Sequence, residues 1–178
     1  MTFRLRLYRI LTGIGLLLGS FLTIRAFLMV LMTGFSLGAL TSLFFMSIFF
    51  VHSLLSLYLQ RSLLLPQIPL KENTPGGIRI LGGIILVITA LWILGGVTLV
   101  TMNQQMVDML RDMVKTTQPD AVPYLTPNVF RTAGVLVLLL AGVYFVNVLL
   151  SFSFLRKWKE EQQKRENEQH PDDDNLML

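Results

Sequence analysis

Residues 10–32 read ILTGIGLLLGSFLTIRAFLMVLM. One charge, Arg25, interrupts 23 residues that are otherwise apolar, small or hydroxylated. At ~1.5 Å per residue, a helix of that length spans ~35 Å, enough to cross the ~30 Å hydrocarbon core of a bilayer with some tilt. An apolar run past ~18 residues reads as a membrane span rather than a buried core helix. It is too long for the h-region of a secretory signal and lacks a small-residue cleavage site. It passes through a tight turn at Gly34–Gly38 into a second run, so it reads as a retained span.

Three further runs match it: Leu37–Leu59, Ile80–Met102 and Ala133–Leu155. Composition agrees. Over 178 residues, 53% are hydrophobic and 15% charged, where a soluble domain carries about 25% charge. Mean hydropathy is +0.61. The expected fold is an all-α integral membrane protein with four transmembrane helices.

Lys and Arg orient the spans. Arg4, Arg6, Arg9, Arg61, Lys71, Arg79, Arg156, Lys157, Lys159, Lys164 and Arg165 fall on one side, and Arg111, Lys115 and Arg131 on the other. The positive-inside rule then places both termini in the cytoplasm. It also accounts for the net charge of +4 without invoking nucleic acid. Tyr8, Tyr58 and Trp158 fall at the cytoplasmic interface, where amphipathic rings are favoured, while Trp92 and Tyr144 fall mid-span and are expected to pack between helices. The short loops and the lack of an N-x-S/T acceptor point to a bacterial-type inner (plasma) membrane.

The organisation follows. Residues 1–66 form a first hairpin and 67–79 a cytoplasmic linker, with Pro66, Pro69 and Pro75 in an extended connection. Residues 80–155 form a second hairpin, and 156–178 a charged tail. Thr74-Pro75 and Thr126-Pro127 each read as a helix start, a Thr cap followed by Pro at the first helical position. The tail is expected to continue the fourth helix to His170, helped by i,i+4 pairing of Lys157 with Glu161 and Glu161 with Arg165. Pro171-Asp172-Asp173-Asp174 then ends it. The apolar Leu176-Met177-Leu178 reads as a frayed terminus, with a short docking peptide as the alternative.

The two hairpins resemble each other. Residues 50–61 are FVHSLLSLYLQR and residues 145–156 are FVNVLLSFSFLR, six of twelve identical at an offset of 95. RILTGI at 9–14 pairs with RILGGI at 79–84 at an offset of 70. The 25-residue difference is the longer loop of the second half. A tandem duplication of a two-helix hairpin is the expectation, with a pseudo-two-fold axis along the membrane normal.

In that register His52 aligns with Asn147, each nine residues before its Arg, ~13 Å along the helix. A polar side chain at such depth is costly unless paired or wetted, so both are candidates for ligand binding or gating. If the axis runs between spans two and four they would hydrogen-bond across it; the plainer reading is interhelical glue. Ser53 and Ser56 read as ordinary helix packing. Arg25 is the third candidate. It either snorkels to the outer headgroups or faces the bundle to bind an anion, a lipid phosphate or a partner's carboxylate. Gly15 and Gly19, Gly34 and Gly38, Gly82-Gly83, Gly95-Gly96 and Ala141-Gly142 mark places for close helix approach.

The outer loop holds an amphipathic segment at about 103–118. Met102, Met106, Met109, Leu110 and Met113 recur at helical spacing among Asp108, Arg111, Asp112 and Lys115. It either continues from span three or lies on the membrane surface. Methionine suits adaptable contact with lipid or a partner, and Met106, Met109, Leu110 and Met113 are the contact candidates. Without His or Cys beside them they do not read as a soft-metal site.

The chain has no Cys, which excludes thiol redox relays and Cys-ligated zinc, along with the cysteine-bearing patterns of vitamin K reductases and claudins. No GxSxG, HExxH, P-loop or acidic metal cluster occurs, so neither an enzyme nor a cofactor or metal is expected. No acid lies in a span, which counts against carboxylate-coupled transport. The leading expectation is a non-catalytic accessory or scaffold subunit of a membrane complex. It would contact the lipid bilayer and either another membrane protein or a second copy of itself. The alternative is a small-solute transporter or channel, or a lipid-binding protein, using a polar site between the repeats.

Overall fold

A computed structural model describes residues 3–65, 67, 68 and 70–169. Pro66, Pro69, His170, the Pro171–Asp174 stop and the final Leu176-Met177-Leu178 lie outside them. The described residues form helices joined by short turns and connections, with no strand. The helices are α1 (Phe3–Thr33), α2 (Leu37–Leu64), α3 (Asn73–Thr101), α4 (Gln104–Lys115) and α5 (Pro127–Gln169), with a short 3-10 segment at Pro119–Tyr124. Of these, α1, α2, α3 and α5 are long and apolar enough to cross a membrane. The chain is therefore a multi-pass membrane protein whose apolar helix faces meet lipid.

Local chemistry sets the helix ends. Gly34 adopts φ +74°, a left-handed conformation that suits glycine and closes α1. Ser36 then caps α2, its Oγ accepting the Ala39 N–H at 3.3 Å. Asn103 caps α4 by accepting the Met106 N–H at 2.9 Å. The amphipathic helix is thus a separate element, parted from α3 at Met102-Asn103 rather than continuing it. Thr126 accepts the Val129 N–H at 3.3 Å ahead of Pro127, the start expected there. The other Thr-Pro pair behaves differently. α3 already begins at Asn73, so Thr74 lies inside the first turn, where its N–H donates to the Lys71 carbonyl at 2.9 Å. At 43 residues, α5 runs ~65 Å, about twice the hydrocarbon thickness. Its charged end therefore continues as helix past the apolar stretch, where an ion pair joins Arg156 to Glu160 at 3.0 Å.

The chain packs as two compact units. The first comprises residues up to Gly83 and those from Asn147 onward. Its core gathers Tyr8, Leu59, Ile78, Phe154 and Leu155. The Tyr8 and Phe154 rings stack 5.0 Å apart. Tyr8 is therefore a core residue, fully buried. Gly19 lets α1 approach α2 so closely that a Cβ there would sit 3.0 Å from the Phe50 Cα.

The second unit comprises residues 84–146. Its α3 and α5 segments meet through Gly96 and Gly134, where a Cβ on Gly134 would lie 2.8 Å from the Gly96 carbonyl oxygen. Gly96 was among the expected notches and Gly134 was not; Gly38, Gly83, Gly95 and Gly142 face no such contact. Arg111 ties α4 to the return segment, its Nε donating to the Leu125 carbonyl at 2.8 Å and its Nη1 pairing with Asp108 at 3.0 Å.

Candidate functional site

The first unit buries a connected set of polar side chains. On α2, His52, Ser56 and Gln60 recur every four residues, which stacks them on one face. All three are buried, as are Asn147 and Ser151 on α5 and Thr12 on α1. The Ser56 and Ser151 hydroxyls lie 3.0 Å apart. Six and seven residues on, the Trp158 Nε1 donates to Ser62 Oγ at 3.0 Å. Both contacts advance along the two helices together, so α2 and α5 run parallel here.

A second chain of bonds crosses three helices. Gln60 Nε2 donates to Thr12 Oγ1 at 2.7 Å and to the Tyr8 carbonyl at 3.3 Å. Thr12 Oγ1 donates in turn to Asn147 Oδ1 at 2.9 Å. One hydroxyl thereby links α2, α1 and α5. Ser151 Oγ donates to the Asn147 carbonyl at 2.9 Å, which leaves Ser56 as the donor across the serine pair. In a membrane helix each such bond is worth about 0.6 kcal/mol, and at most ~2.

His52 and Asn147 both sit one helical turn before the serine pair, on the same stripes. They do not bond to each other. Both His52 ring nitrogens and Asn147 Nδ2 are buried without a hydrogen-bond partner among the described residues. Asn147 spends its oxygen on Thr12, a partner four residues' spacing could not reveal. His52 faces protein and not lipid, since none of it is exposed. Ser53 is the ordinary packing serine expected, bonding back to the Phe49 carbonyl at 2.9 Å. Ser56 is not, because its partner is on another helix.

The remaining candidates lie elsewhere. Arg25 is exposed in a shallow groove of about 180 Å³ between α1 and α2, beside Ser42 and Met46. On α4, Met106, Met109 and Met113 are exposed, Leu110 is half-buried, and Val107 is the fully buried anchor. Trp92 is half-buried and Tyr144 fully buried, and both have interaction partners.

Sequence reasoning passed over Thr12, Gln60 and Ser151. A signal for two of them existed: the four-residue repeat His52, Ser56, Gln60 on α2, and its copy Asn147, Ser151 on α5. Thr12 carried none, because a lone threonine in a membrane helix usually bonds back to its own backbone, as Thr98 does to Leu94 at 3.0 Å. Comparison with protein-family models, curated proteins and solved structures found no match to the chain.

Proposed function

We propose that the chain is a non-catalytic accessory or scaffold subunit of a membrane complex, with both termini cytoplasmic in a plasma (inner) membrane. The observation that carries this reading is α4. Val107 and the Arg111–Leu125 bond hold it down while Met106, Met109 and Met113 stay exposed. Three flexible thioethers on one short, capped helix make an adaptable contact surface for a membrane partner. The buried bonds of the first unit fit a rigid support, since Thr12, Gln60, Ser56 and Ser151 are spent on holding helices together.

The proposal includes descent from a duplicated hairpin. Ser56 and Ser151 are equivalent in the repeat register and touch each other, as equivalent residues do on a two-fold axis. Equivalent positions also share the core: Tyr8 with Ile78 at offset 70, and Leu59 with Phe154 at offset 95.

A second reading, a transporter, channel or lipid-binding protein, draws on the unpartnered nitrogens of His52 and Asn147. Buried polar atoms without partners are costly, and a polar solute passing between the repeats would satisfy them.

Native mass spectrometry of the protein released from its own membrane separates the two. The scaffold reading expects a complex of fixed stoichiometry that a Met106→Gln, Met109→Gln, Met113→Gln variant loses and His52→Ala keeps. A lone chain or homo-oligomer, with a small molecule lost on His52→Ala, would favour the second reading.

A further inference from the structure

We propose that the end of the first unit where α1 begins and α2 finishes binds the phosphate of a phospholipid headgroup. A cavity of about 270 Å³ opens there between the last turns of α2, the linker and the first turn of α3. Arg61 and Lys71 line it from either side, both exposed and without an ion pair among the described residues. Glu72, the acid next to Lys71, does not line it. Thr74 also faces it. That residue is only 7% exposed, and its hydroxyl has no hydrogen bond among the described residues. It sits in the first turn of the 29-residue α3, whose start presents the positive end of a helix dipole. Two cations, one largely buried threonine and a helix start therefore converge on one space.

Arg61 has a reason of its own to be there, because cations are favoured in the last turn of a helix such as α2. Lys71 also belongs to the charge bias that orients the spans, but neither it nor Thr74 lies in the last turn of a helix. Ser62 is not a ligand. Its hydroxyl donates to the Ile68 carbonyl at 3.0 Å and accepts from Trp158, which pins the linker as a wall.

The remaining walls decide between a soluble phosphate and a lipid. Leu55, Ile68 and Leu70 face the same cavity. A neighbouring groove of about 360 Å³ shares Tyr58 and Arg61, adds Arg9, and is otherwise largely leucine. An inorganic anion has no use for apolar walls beside its charge, whereas a phospholipid places acyl chains there. Membrane-surface cations also draw anionic headgroups generally, and a built cavity adds position to that attraction. The site does not depend on the scaffold reading.

The test is native mass spectrometry of the full chain in mild detergent, titrated with phosphatidic acid, with diacylglycerol of the same chains, or with inorganic phosphate alone. Phosphatidic acid is expected to bind, with diacylglycerol and inorganic phosphate much weaker. Arg61→Gln with Lys71→Gln should weaken phosphatidic acid roughly tenfold, and Thr74→Val several-fold. Unchanged affinity in the double variant overturns the proposal. So does equal binding of diacylglycerol, which would mean apolar contact only. Equal binding of inorganic phosphate would assign the site to a soluble anion and overturn the lipid. Helical content by circular dichroism checks folding. Lys71→Gln alone, at an exposed residue outside the helices, repeats the test should the double variant lose helix, and must still weaken phosphatidic acid.

Discussion

Thr12 does more for the first unit than its size suggests. Its hydroxyl accepts from Gln60 and donates to Asn147, so one small side chain joins three helices. Thr12→Val keeps the shape, removes both bonds and leaves Asn147 Oδ1 buried without that donor. A loss of ~1–2 kcal/mol is expected, from two bonds of ordinary membrane strength and an unsatisfied acceptor. Reversible unfolding in mixed detergent micelles would read it. Thr98→Val is the control. Thr98 is exposed and bonds only to its own helix, so a change within ~0.5 kcal/mol is expected. If both variants cost the same, the Gln60–Thr12–Asn147 chain is not what joins these helices. A residue's neighbours in sequence say nothing here: Thr12 and Asn147 are 135 positions apart.

Two element-level features can be tested by contrast. In the second unit, Gly134 lies so near the Gly96 carbonyl that any side chain must push α3 and α5 apart. Gly134→Val is expected to destabilise by ~1–3 kcal/mol through overpacking. Gly142, eight residues further along α5, has nothing within 4 Å of where a Cβ would sit. Gly142→Ala should be neutral or stabilise by up to ~1 kcal/mol, because helical glycine costs conformational entropy. Thermal melts of the two variants side by side would decide, and equal losses would refute the close approach. α4 makes the second contrast. It has 12 residues, near the limit of what holds as a helix in water, and depends on its Asn103 cap. Asn103→Ala removes about 1 kcal/mol of capping, so amide hydrogen exchange in α4 should speed up about fivefold while α1 is unchanged. Both features were partly legible. The methionine spacing announced α4, and glycine pairs announced close approaches. Which glycines meet a neighbour was not legible, because the spacing repeats at every notch.

At the scale of the whole molecule the open quantity is orientation. Eleven cations on one side against three on the other predict cytoplasmic termini. The absence of Cys makes this simple to check, since every thiol introduced is a unique label. In intact cells a membrane-impermeant maleimide should label Met109→Cys, on the exposed face of α4, and not Lys164→Cys until the membrane is opened. The reverse pattern would invert the topology, and with it the leaflet that supplies a lipid to the Arg61–Lys71 cavity.

Four helices long and apolar enough to span a membrane, one amphipathic helix and a long charged helical tail were determined by the sequence alone. Each is a local property: run length against bilayer thickness, helical spacing of methionines, charge pattern after Leu155. Tertiary structure alone decided which faces point inward. In a soluble helix the apolar stripe marks the buried side, but a membrane helix is apolar all round, so that signal is lost. The burial of Tyr8 in the core was therefore not legible, and His52 and Asn147 looked like partners and are not bonded. Arg61, Lys71 and Thr74 looked like topology signals and a helix cap, and they share a cavity. The physical reason is common to all three: in lipid, position is set by which polar atoms find each other and which backbones can approach, and both are properties of pairs distant in the chain.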